Sequence, residues 1–362
     1  MMGRATSLVA TLAILLCEGH MKRCAVLGAL IAVGALSMTV AAFQQQPPTP
    51  SVDAIEVDKI KDNLYVLKGG GGNSTVFITT TGVVVVDAKE AGWGRDLLDT
   101  IRTLTDKPVT IVINTDPHPD HVGGNADFPP GVQIIAQRNI RKRMQRMGAR
   151  GHALPTRTFR NKLTLGRGAD EVDLFYFGRG HTDGDTWVFF TATGVVHVGD
   201  LFPGEDLPLL DGKNGGSALE IAQTLENGFR KIKGATLVVT GHGVERTWPE
   251  LQEYLSFTNR FVNEVWLATR AHKSVDDIVR DWTIPPGYEK YAPIDAARLK
   301  NNVALTVKEL NDEARAYEIQ QFTSLSDSYI GPRSATDASP APTPSTPTPA
   351  PESSPPPSEA PN

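Results

Sequence analysis

Residues 113–124 read INTDPHPDHVGG, which places Asp116, His118, Asp120 and His121 within six residues. Ahead of them stands VTIVIN (109–114), an apolar, β-branched run that predicts a buried strand. A loop leaving such a strand can aim successive side chains at one point. Two imidazoles offer neutral nitrogens and two carboxylates offer anionic oxygens, a donor mixture suited to zinc, iron or manganese. Gly123 and Gly124 let the backbone turn closely beneath them. Asp and His also serve as caps and surface loop residues, so the rest of the chain has to decide.

Working outward, LYVLKG (64–69), TVFITT (75–80) and GVVVVDA (82–88) read as short strands, separated by turn signals at 69–72 and 81–82. GRDLLDTIRTL (94–104) carries Leu97, Ile101 and Leu104 at helical spacing. Downstream, VDLFYFG (172–178) leads to His181 in GRGHTDGD, and TWVFFTATGVVHVGD (186–200) reads as a hairpin ending in Asp200. A helical stretch, 218–231, precedes TLVVTGHG (236–243), which delivers His242. Helices interspersed with strands make an α/β pattern. His181, Asp200 and His242 each stand where a strand gives way to a glycine-bounded turn, and three such placements argue against coincidence. After His242 the chain turns helical, with Pro249 at a helix start and an apolar stripe of Leu251, Leu255, Phe261, Val262, Val265 and Trp266. Leu299, Val303, Val307 and Leu310 predict another helix.

The ends have other compositions. Residues 1–42 read as a leader: a basic Met21-Lys22-Arg23, an apolar run over 25–41 and a small-residue exit predict a secretory signal peptide cut before Phe43, with Met21 as the true start. Residues 334–362 hold 10 prolines in 29 residues and no large apolar side chain, which predicts a disordered tail. Between them, residues 53–321 suffice for one large domain. Both cysteines, Cys17 and Cys24, fall in the leader, so a metal site must use His and carboxylates. The net charge of −5 gives no reason to expect nucleic acid. An exported chain without its leader has no stable membrane insertion, and nothing in the sequence sets an oligomeric state.

Several residues compete with the ligand candidates. Thr182, Asp183 and Asp185 fit turn or supporting roles better than ligation. His197 has the opposite strand parity to Asp200, which predicts a packed structural histidine. His152 lies in a loop and is expected at the surface. The basic segment RNIRKRMQRMGARG (138–151) reads as a solvated helix face, or as an attractor for an anionic substrate. The Gly69–Gly72 run with Asn73 is expected to form a turn near the site, because no phosphate-loop pattern follows it. FPGEDLPLLDGKNGGS (202–217) is expected to wall the substrate site.

The order DPHPDHVGG, GHTDGD, VGD, TGHG resembles the metallo-β-lactamase superfamily, whose pattern is HxHxDH followed by a distant His, an Asp or Cys, and a final His. The resemblance covers roughly residues 63–248 and implies an α/β fold: an αββα sandwich of two mixed sheets flanked by helices. It further implies two divalent metal ions, zinc first, with iron or manganese as alternatives. One ion would take Asp116, His118 and His181, the other Asp120, His121 and His242, with Asp200 bridging. Asp116 stands where the family has His, which changes both reach and charge. The resemblance implies hydrolysis by a hydroxide generated between two cations, with Asp120 orienting the nucleophile and relaying its proton. Asp200 and Pro203 depart from the Cys and Lys of certain β-lactamase subclasses. A small-molecule ester, thioester, lactone or cyclic amide is therefore the expected substrate, with the β-lactam ring as one alternative and a non-catalytic binding role as another.

Overall fold

The computed structural model describes residues 55–328. The leader and the proline-rich tail lie outside them. Contacts divide the chain after Leu310. Among the described residues every strand lies in the first unit, and those of the second continue one helix.

Two sheets form the middle of the first unit. The first has seven strands in sequence order: β1 (Glu56–Lys61), β2 (Leu64–Lys68), β3 (Ser74–Ile78), β4 (Val83–Val86), β5 (Val109–Asn114), β6 (Gln133–Gln137) and β7 (Arg157–Phe159). Its first four strands pair antiparallel, and β4 through β7 run parallel. The second sheet has the order β13-β12-β11-β10-β9-β8, from β8 (Lys162–Leu165), β9 (Val172–Phe175), β10 (Trp187–Phe190), β11 (Val195–Gly199), β12 (Leu237–Thr240) and β13 (Arg246–Thr247). Only β11 and β12 pair parallel there. Both sheets are mixed, as expected.

The period-two pattern explains the layering. In β4 all four valines are buried, but Val84 and Val86 face the second sheet while Val83 and Val85 face α1 (Gly94–Leu104). Phe77 and Phe190 meet across the sheets with ring centroids 5.0 Å apart. On the far side of the second sheet, Trp187, Phe189, Val196 and Val238 pack against helices that follow the strands. Further helices are α2 (Pro119–Val122), α3 (Arg138–Arg146), α4 (Ile221–Lys231), α5 (Trp248–Arg270), α6 (Val275–Asp281) and α7 (Ala296–Ser328). No helix among the described residues is long and apolar enough to cross a membrane.

Helix α5 starts at a capping box, Thr247 with Glu250, and Pro249 sits in its first turn. Its buried face is Leu251, Tyr254, Phe257, Thr258, Phe261 and Val265. This corrects the expected stripe: Trp266 is 36% exposed and lies under Arg270, while Leu255 and Val262 are only partly covered. At 3.6 residues per turn the face advances from 251 to 254, 258, 261 and 265, and Trp266 rotates out of it.

Candidate metal centre

All seven expected ligands come from the segments that follow the C-terminal ends of strands, Asp120 and His121 from the short helix α2. Asp116, His118, Asp120 and His121 follow β5, His181 follows β9, Asp200 follows β11 and His242 follows β12. Their donor atoms form three overlapping groups, each within 4.8 Å: Asp116, His118 and His181; Asp120, His121 and His242; Asp116, His121 and Asp200. His181 Nε2 lies 3.1 Å from His118 Nδ1 and 3.5 Å from Asp116 Oδ2. His242 Nε2 lies 3.0 Å from Asp120 Oδ2. Between the triads, Asp200 Oδ1 stands 3.5 Å from the Nε2 atoms of both His121 and His242, and its Oδ2 is 3.7 Å from His181. The departing residue, Asp116, is buried and central: its Oδ1 accepts from the His118 backbone N–H at 2.8 Å, and its Oδ2 is 3.7 Å from His121 Nε2.

Three of the four imidazoles are oriented from behind. His121 Nδ1 donates to Asp87 Oδ2 at 2.7 Å, with both side chains fully buried. Asp87 also accepts from Thr115 N–H at 2.8 Å and Thr115 Oγ1 at 2.6 Å. His181 Nδ1 donates to the Leu209 carbonyl at 2.6 Å, and His118 Nε2 to Asp211 Oδ2 at 2.8 Å. Acceptors behind these nitrogens fix a proton there and aim the other ring nitrogen into the site.

The geometry makes the centre strongly anionic. Burial disfavours the His181 imidazolium, but the hydrogen bond and charge of Asp116, with Asp200, outweigh it and raise the ring to about 10. His121 is likewise held well above its usual range, against burial, by Asp116, Asp87 and Asp200. Protons thus gather where cations would bind, and ligation would displace them. Asp116 Oδ2 and His121 Nε2 are buried without hydrogen-bond partners. A cation is the complement such a lone-pair cluster lacks, so the residues present fit a divalent metal.

The supporting candidates are placed as expected. Asp185 accepts from Thr182 N–H and Oγ1, and Asp183 pairs with Arg143 at 2.6 Å. His197 is fully buried, sits 2.8 Å from Thr75 Oγ1 between the sheets, and is pushed down to about 3 chiefly by burial. His152 is exposed. The basic segment is more structural than a free patch: Ile140 and Met144 of α3 are buried, and Arg143 also binds the Lys213 carbonyl. The glycine turn underlies the second triad, with Gly72 N–H bonded to the Asp120 carbonyl at 3.1 Å. A Cβ at position 72 would stand 2.7 Å from His121 Cε1. The 202–217 loop carries Leu209 and Asp211, so it supports ligands. Sequence reasoning missed Asp87, Asp211 and the fully buried Lys89, whose Nζ donates to the Leu67 and Gly72 carbonyls at 2.5 and 2.8 Å. GVVVVDAKE (82–90) did signal Asp87 and Lys89 faintly, since charged residues directly follow a buried strand, whereas Asp211 had no such signal.

A sandwich of two mixed sheets with an anionic His and carboxylate cluster at strand ends defines a metal-dependent hydrolase class. The profile of the metallo-beta-lactamase superfamily matches residues 67–242. The chain is 26% identical over 233 residues to "Metallo-beta-lactamase type 2" of Elizabethkingia meningoseptica, covering 61% of this chain and 89% of that protein. It is 25% identical over 211 residues to "Metallo-beta-lactamase IND-1" of Chryseobacterium indologenes, covering 56% and 87%. Among solved structures, a metallo-beta-lactamase from Pontibacter korlensis superposes with TM-score 0.51 at 20% identity, over 57% of this chain and 99% of that one. The sec-alkylsulfatase Pisa1 from Pseudomonas sp. gives TM-score 0.62 at 13% identity, over 70% of this chain and 50% of that one. The chain belongs to the metallo-beta-lactamase superfamily.

Proposed function

We propose that this hydrolase binds two divalent ions, zinc first among zinc, iron and manganese, and cleaves an ester, thioester, lactone or cyclic amide outside the cytoplasm. The observation that carries the reading is the pair of triads joined by Asp116 and Asp200, with buried donors left unpartnered at their centre. Asp116, His118 and His181 would hold one ion, and Asp120, His121 and His242 the other, with Asp200 between them. When bound, such ions supply a water deprotonated near neutral pH and an electrophile for the scissile carbonyl oxygen. The protein's part is orientation and proton handling. Asp87, Asp211 and the Leu209 carbonyl fix the rings, so that little reorganisation accompanies reaction. Asp120 is the carboxylate of the set most open to solvent, with its side chain 24% exposed and tied to His242. It is placed to take a proton from the nucleophile and pass it to the leaving group. Export rests on the leader-like residues 1–42.

A β-lactam is the second reading, supported by the names of the relatives with 25–26% identity; Asp200 weighs against it. The test is hydrolysis by the purified chain loaded with zinc, iron or manganese, across a chromogenic β-lactam, a lactone, a thioester and a phosphodiester, with and without chelator. Chelator-sensitive turnover of the lactone or thioester is expected. Turnover of the β-lactam alone would favour the second reading. Silence across the panel with fewer than two ions bound would refute both and favour a binding role.

A further inference from the structure

The segment that orients His118 and His181 has almost no regular structure of its own. Between Asp200 and α4 the described elements amount to one 3-10 turn, Gly212–Asn214. Backbone groups in such a segment need partners from elsewhere, and α7 supplies them. Asn302, fully buried, donates its amide N–H to the Pro208 carbonyl at 2.7 Å. Asn301 donates to the Leu210 carbonyl at 2.9 Å. The carbonyl between these two, that of Leu209, turns the other way and receives His181 Nδ1 at 2.6 Å. Asp211, the residue after Leu210, receives His118 Nε2. At the segment's far end one Glu309 oxygen accepts from Ser217 Oγ at 3.1 Å, Ala218 N–H at 2.9 Å and Leu219 N–H at 3.2 Å. Arg298 binds Asp206 at the near end.

We propose that the first turns of α7 belong to the metal centre in function, with Asn301, Asn302 and Glu309 as positioning residues for the imidazoles of His118 and His181. The inference rests on the two-ion reading above and extends it beyond the family-matched residues 67–242. A buried amide costs free energy unless it is paired, and Asn302 spends its N–H on the loop. Releasing Pro208 or Leu210 lets the intervening Leu209 carbonyl rotate, and the short bond to His181 is lost first. The second triad, backed by Asp87 on the other sheet, has no such dependence.

The test uses the full chain loaded stepwise with Co(II), for Asn302→Leu, Asn301→Ala and Glu309→Gln, with Val303→Ala as control. Val303 is fully buried on the same helix in the apolar core and has no polar side-chain atom, so its truncation removes packing and lowers the melting temperature without removing a hydrogen bond to the loop. Affinity for one equivalent should fall about tenfold in the three variants. The exchangeable ring N–H signals of His118 and His181 should broaden while that of His121 persists, and Val303→Ala should leave all three in place. Unchanged signals and affinity would overturn the proposal, as would equal loss at His121 or equal effects in the control. If Asn302→Leu does not fold, the other two variants carry the test. A parent chain that binds fewer than two ions would sink the two-ion reading itself, and the inference with it.

Discussion

Replacing Asp87 with Asn isolates the support of the second triad. Asp87 sits at φ 62°, a left-handed conformation that Asn tolerates, so the backbone need not move. Its carboxylate serves three buried donors: Thr115 N–H, Thr115 O–H and the Nδ1–H of His121. An amide has one oxygen and must turn its NH2 toward at least one of them. If it faces Thr115 N–H, two donors oppose each other at a cost of ~1–3 kcal/mol. If it faces His121, the ring must accept at Nδ1 and carry its proton on Nε2, the atom aimed at the metal. Part of the cost is offset, because burial already pushes the Asp87 carboxyl up and its neutral replacement relieves that penalty. The affinity for one ion should fall ~10–100-fold, equivalent to ~1.4–2.8 kcal/mol. Competition with a chromophoric chelator reads this directly, alongside urea unfolding of the metal-free chain. Two ions held by Asp87→Asn as tightly as by the parent would refute the claim that Asp87 sets the His121 ring.

Three further outcomes follow from the same geometry. Asp116→His, which exchanges a buried anionic oxygen for a neutral nitrogen, should raise the ratio of zinc to manganese affinity; an unchanged ratio in paired titrations would show that Asp116 does not ligate. Gly72→Ala should cost ~1–3 kcal/mol in urea unfolding and weaken one metal equivalent, since its Cβ would stand 2.7 Å from the His121 ring; a neutral effect would mean the ring has room to yield. Lys89, pushed down to about 7 by burial against the charge of Asp87, binds its proton less well folded than at its ordinary value of 10.5. The stability it allows is therefore present above pH 10.5, and is lost as pH falls toward 7 at up to ~1.4 kcal/mol per pH unit. The parent minus Lys89→Met difference should show that slope in metal-free unfolding experiments, and a flat difference across pH 7–10 would refute it.

What the chain disclosed before its structure was known divides along physical lines. Strands such as 109–114 and the helix at 94–104 were legible because burial on one or both faces imposes a short period on the residues. The candidate ligands were legible because the superfamily pattern clusters four of them and seats the others at strand ends. The groups behind them were not, because their partners are remote: Asp87 lies 34 positions from His121, and Asp211 lies 93 from His118. No local periodicity records such pairings. The 202–217 segment was legible as a loop beside the site, but length and glycine content do not record what its carbonyls bind. Trp266 was counted in the apolar stripe beside Val265, but the helical angle turns it outward.

The way the ligand loops are shared has a consequence for the life of the chain. Each triad draws two members from the loop after β5 and one from the opposite sheet, so neither half of the polypeptide owns a complete site. A nascent chain that has finished only its first sheet can offer Asp116, His118, Asp120 and His121 but cannot close a cage around an ion. Metal capture is thereby a certificate of completed assembly. A captured ion would rivet one layer of the sandwich to the other, so the two halves would lock together only where free metal meets the finished fold.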